Sequence, residues 1–64
     1  PPVDDDEELE TALASLSGLH LGVTVRLKMA DLLRNREERL IWFLCVNDAD
    51  RLAFVRHWGF FPPA

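Results

Sequence analysis

Leu19-His20-Leu21-Gly22-Val23-Thr24-Val25-Arg26-Leu27-Lys28-Met29 is the stretch on which the fold turns. Every odd position is apolar, while the even positions hold His20, Gly22, Thr24, Arg26 and Lys28. Unbroken alternation predicts a β-strand over residues 19–29, with one buried face and one wet, basic face. A second extended segment is expected at residues 39–46. There Leu40-Ile41-Trp42-Phe43-Leu44-Cys45-Val46 is rich in β-formers and apolar on both faces. Between them Arg34-Asn35-Arg36-Glu37-Glu38-Arg39 is polar throughout. As a loop it would join two strands. The alternative, a single helix over 29–45, would drag a fully polar turn across its core face.

Working outward, both flanks have helical period. Leu9, Ala12, Leu13 and Leu16 form one stripe of a helix over residues 4–17, with Asp4 as cap and Glu7 three residues on. The acids of its first turn sit at the positive end of the helix dipole, and Ser17-Gly18 is a plausible stop. A second helix is expected over 48–58, capped by Asn47, with Leu52, Val55 and Trp58 on one face beside Phe54 and Gly59 as terminator. The expected fold class is therefore α+β, a helix–β-hairpin–helix in αββα order. It fills residues 1–64 as one small domain, with 1–3 and 60–64 as flanking tails. The two-sided apolarity of 40–46 asks for cover on both faces, from helices on opposite sides or from a second molecule.

Sixty-four residues allow one thin core, worth about 3–5 kcal/mol of net stability. Cys45 is the only cysteine, so no internal disulfide can reinforce it, and an unpaired cysteine suits a reducing compartment, cytoplasmic or nuclear. Hydrophobic content of 48% and charged content of 28% are globular values. No apolar run reaches the ~20 residues of a membrane span, and no secretory leader is visible at the acidic N-terminus. The chain starts at Pro1, which reads as processed or cut from something longer. The net charge of −4 divides unevenly: six acids and no bases in residues 1–19, seven bases and five acids in residues 20–64. The acidic end would repel nucleic acid.

Catalytic apparatus is not in view. Cys45 lies in an apolar run that favours the neutral thiol, and His20 and His57 are the only histidines. Ligand spacing for a metal is absent, Asp48 and Asp50 are explained as caps, and no glycine-rich phosphate cradle exists. No cofactor, metal or small-molecule substrate is expected, and the chain is expected not to be an enzyme.

Three surface features remain. The acidic run Asp4, Asp5, Asp6, Glu7 and Glu8 is a solvated helix start or a docking surface for a basic partner. Trp58, Phe60 and Phe61 either fold over a small core or form a proline-stiffened anchor for a partner. Thr24, Arg26 and Lys28 form the wet face of the expected strand. On Val23-Thr24-Val25-Arg26-Leu27 and the segments to residue 58, the chain resembles a ribbon–helix–helix repressor. That resemblance implies a DNA-binding homodimer active in transcription regulation, with Thr24, Arg26 and Lys28 in the major groove and a helix near Asn47 on backbone phosphate. The acidic first helix and the negative charge depart from the family. The expected function is accordingly a small regulatory or adaptor module that binds another protein, or a second copy of itself, through the acidic first helix and the C-terminal aromatics. Nucleic acid and membrane are disfavoured as partners.

Overall fold

The computed structural model describes residues 5–61, and every regular element among them is helical. Helix α1 spans Asp5–Ser15 and runs into a 3-10 turn at Leu16–Leu19; α2 spans Val23–Leu32, α3 Arg36–Leu44 and α4 Asp48–His57. The expected α+β class, its β-hairpin and its αββα order are thus overturned: no strand occurs among the described residues.

The alternation at 19–29 has a second solution, and α2 adopts it. In a helix, odd positions two apart fall on opposite sides, so a period-2 pattern splits into two stripes of period four. One stripe is Leu21, Val25, Met29 and Leu33; Val25, Met29 and Leu33 are buried and Leu21 half-buried. The other is Leu19, Val23 and Leu27, of which Val23 and Leu27 are 75% and 67% exposed. Arg26, Leu27, Lys28, Met29, Ala30 and Leu32 are all good helix formers, outweighing the β-branched Val23, Thr24 and Val25. A helix also satisfies its backbone locally, whereas an isolated hairpin is only marginally stable.

The polar run is not a hairpin loop. Asn35 is the N-cap of α3: its Oδ1 accepts from the Glu37 and Glu38 amides at 2.9 and 3.3 Å. Glu37 and Glu38 then sit in the first turn, where negative charge meets the positive end of the helix. The single helix 29–45 is excluded too, because Leu33, Arg34 and Asn35 break it. A cap, not a strand turn, is what the polar residues encode.

The flanking helices form as expected. Leu16 and Ala12 are buried, with Leu9 and Leu13 packed beside them. The proposed Asp4 cap lies outside the described residues. The 3-10 turn closes at His20, which holds φ 53°. Asn47 caps α4, its Oδ1 accepting from the Asp50 amide at 2.8 Å. Gly59 takes φ 70°, and its N–H donates to the Arg56 carbonyl at 2.9 Å, the left-handed stop that a glycine adopts without strain.

The core collects one stripe from each helix: Ala12 and Leu16, Val25, Met29 and Leu33, Trp42, and Val55. Trp42 is its largest member, fully buried and packed edge-on to Phe54 at 5.5 Å. Truncating such a ring costs about 3–5 kcal/mol, comparable with everything a domain of this size has in hand.

Candidate functional site

Three α3 and α1 side chains organise the interior. Arg39 has no solvent exposure. Its Nε donates to Glu8 Oε1 at 2.8 Å, and its Nη2 donates to Asp5 Oδ1. Its Nη1 donates to the carbonyl of Leu33 at 3.1 Å, with the Arg34 carbonyl at 3.5 Å. Those carbonyls end α2, where helical oxygens lack intrahelical partners. One guanidinium therefore ties the start of α1 to the end of α2 from a position in α3. The Glu8 hydrogen bond, followed by the contacts with Asp5, holds the Arg39 pKa above its ordinary value against the opposing effect of burial. Beside it Trp42 Nε1 donates to Ser15 Oγ at 2.7 Å, and Ser15 Oγ donates to the Ala12 carbonyl at 2.5 Å. Arg51 lies over the Trp42 ring at 5.3 Å. Its buried Nε has no hydrogen-bond partner, so the ring face is the electron-rich group it meets.

This arrangement changes the meaning of the acidic start. Asp5 and Glu8 neutralise Arg39 inside the fold, so two of the five candidate acids have an internal role. Glu8 is nearly buried, with a side chain 10% exposed, and it also meets the exposed Arg36 at 3.8 Å. Asp6 and Glu7 are on the surface of α1, and Asp4 lies outside the described residues.

The aromatic candidates gather at the end of α4. Trp58 stacks on Phe60 with ring centroids 6.3 Å apart, and His57 meets Trp58 edge-on at 5.7 Å. Arg56 lies 6.0 Å over Phe61, and both Phe60 and Phe61 pack against the core. Trp58 keeps an exposed edge.

Thr24, Arg26 and Lys28 are exposed, but on a helix. They cannot form the outward row of a strand, so the ribbon that the repressor resemblance requires is not formed. Arg26 instead reaches back to Ser17, its Nη2 donating to Ser17 Oγ at 3.3 Å.

What sequence reasoning missed is the second apolar stripe. Val23 and Leu27 with Leu13, Leu16, Arg26 and Ala30 line an open groove of about 380 Å³ between α1 and α2. A second outward row runs along α3, where Leu40, Ile41 and Leu44 are 43%, 47% and 77% exposed, followed by Val46. The signal was present in the sequence, since two period-four stripes on one helix leave one of them without a core.

Chemically the surface is plain. Cys45 is half-buried, and its thiol donates to the Ile41 carbonyl at 3.7 Å. Burial first, then Asp50, push its pKa up, against a smaller lowering by Arg51. That is the opposite of an activated thiolate. Among the described residues no group of three or more histidine, cysteine or carboxylate side chains is placed to hold a metal ion. No helix is long and apolar enough to cross a membrane. Comparison with known protein families, with curated proteins and with solved structures finds no match.

Proposed function

We propose that this chain is a non-enzymatic protein-binding module, and that its docking surface is the outward apolar face of α2. The observation that carries the reading is the exposure of Val23 and Leu27 beside a groove floored by Leu13 and Leu16. Among the described residues seven large apolar side chains are exposed, as many as make up the buried hydrophobic core, and two of them, Val23 and Leu27, line this groove. A soluble monomer rarely leaves apolar side chains clustered in contact with water, and grooves of this kind receive apolar anchors from a partner. The acids of α1 and the aromatic edge of Trp58 are secondary contacts in this reading, because much of each is spent on the fold. A lone, unpaired Cys45 fits a regulatory or adaptor module in a reducing compartment, cytoplasmic or nuclear.

The test is a photoreactive side chain at position 27, activated in cells. Covalent protein adducts that disappear when Val23 is also changed to Asp support the reading. Recovery of the uncoupled chain alone contradicts it.

A further inference from the structure

The α2 groove accounts for only one of the two outward apolar surfaces, and the other has the shape of a ligand for it. On α3, Glu37, Leu40, Ile41 and Leu44 stand at i, i+3, i+4 and i+7, and all four are exposed. That is the spacing by which an amphipathic helix lays one face into an apolar groove. The groove offers Leu13, Leu16, Val23, Leu27 and Ala30 as its apolar lining and Arg26 as its single charged member. The ridge offers three aliphatic side chains and one acid. The apolar surfaces are of one kind, and the charges are opposite in sign: the ridge carries Glu37 and the groove Arg26, both exposed. Among the described residues nothing covers the outer members of either surface: Val23 and Leu27 in the groove and Leu40, Ile41 and Leu44 on the ridge are all exposed, while Leu16 joins the groove to the core.

We infer that the occupant of the α2 groove is the α3 ridge of a second copy of this chain, giving head-to-tail self-association. This rests on the docking reading above and names the partner. Because groove and ridge are different surfaces, the contact is heterologous. A pair joined this way leaves one copy with a free groove and the other with a free ridge, so assembly continues until it closes in a ring or runs on as a filament. The apolar contact supplies most of the affinity, and the Arg26–Glu37 pair sets which way the ridge lies. The thin core gives a physical reason for the arrangement: burying Leu27 and Leu44 between copies adds the apolar burial that 64 residues cannot supply alone.

The experiment is sedimentation velocity on the purified chain over a wide concentration range, with Leu27→Glu as the groove variant and Leu44→Glu as the ridge variant. Both residues are more than 60% exposed, so both variants keep the helical circular-dichroism spectrum. The wild-type chain is expected to form a concentration-dependent ladder of species, and each variant alone a monomer. An equimolar mixture of the two variants is expected to form a dimer and nothing larger, because one supplies an intact ridge and the other an intact groove. Arg26→Glu weakens assembly several-fold, and adding Glu37→Arg to the same chain restores it. A mixture that stays monomeric, or a ladder that survives Leu44→Glu, overturns the inference. A wild-type chain that stays monomeric overturns it too. In that case adducts from position 27 to other proteins would leave the docking reading standing, and their absence would remove both.

Discussion

The surroundings of Arg39 and of Leu27 invert the usual distribution of polarity. A guanidinium sits fully buried on α3, while a leucine on the preceding helix, Leu27 of α2, is 67% exposed. The difference teaches what each is for. Arg39 reaches carboxylates on α1 and carbonyls at the end of α2, so its interactions exist in one arrangement of the helices and no other. Leu27 has no such commitment, and its apolar surface is available to another molecule. A buried ion pair of this kind adds little over a well-packed apolar replacement, yet removing one partner alone is severe because a charge is stranded.

That contrast is broken most forcefully at Arg39. Arg39→Met leaves Glu8 nearly buried with only the exposed Arg36, at 3.8 Å, as counter-ion, and thermal unfolding should show the midpoint falling by on the order of ten degrees or more, or no cooperative transition at all. Combining it with Glu8→Leu should recover part of the loss, because the stranded charge is gone. If the double variant is as unstable as the sum of the single ones, the pair is not coupled and the staple is misassigned.

A smaller effect is expected at the α3 cap. Asn35→Ala removes the side-chain acceptor of the Glu37 and Glu38 amides and should cost about 1 kcal/mol, within the 0.5–2 range of such caps. Denaturant unfolding measures it directly, and an unchanged midpoint would mean that α3 does not begin there.

The smallest effect is chemical. The folded chain holds the Cys45 proton more tightly than the unfolded chain does, because its pKa is raised on folding. The stabilisation this brings is complete below the ordinary thiol pKa and is lost as pH climbs through the folded value. Iodoacetamide labelling near neutral pH should therefore be several-fold slower in the native protein than in urea. Faster native labelling would point to an activated thiolate and reopen a catalytic role.

How far the sequence spoke for itself follows from particular residues. The helix at Asp48–His57 was legible because Asn47 and Gly59 mark its ends, and the stripe Ala12, Leu16 was legible because it has one period. Residues 19–29 were not, since Leu21, Val25 and Met29 together with Leu19, Val23 and Leu27 satisfy the strand period and the helix period at once. The evenness of that alternation concealed that two of the six apolar positions, Val23 and Leu27, would face outward. The polar run before residue 40 misled for a related reason: Asn35 with Glu38 is a cap signature, but six polar residues in a row also look like a loop. Of the candidate site, the residues were visible and their duties were not. Asp5 and Glu8 could be counted as a charge cluster, but only the fold shows that Arg39, more than thirty residues away, consumes them.

The most direct test of the two-stripe helix compares one substitution at two positions two residues apart. In a strand Val25 and Leu27 share a face, and in α2 they lie on opposite sides, 4% and 67% exposed. Thermal unfolding of Val25→Asp and Leu27→Asp, at a concentration low enough that the parent chain is monomeric, separates the two geometries. The two-stripe helix predicts that Val25→Asp abolishes cooperative unfolding, since a buried charge costs more than the ~3–5 kcal/mol such a small domain has, while Leu27→Asp melts within a few degrees of the parent chain. Equal losses at the two positions would contradict it.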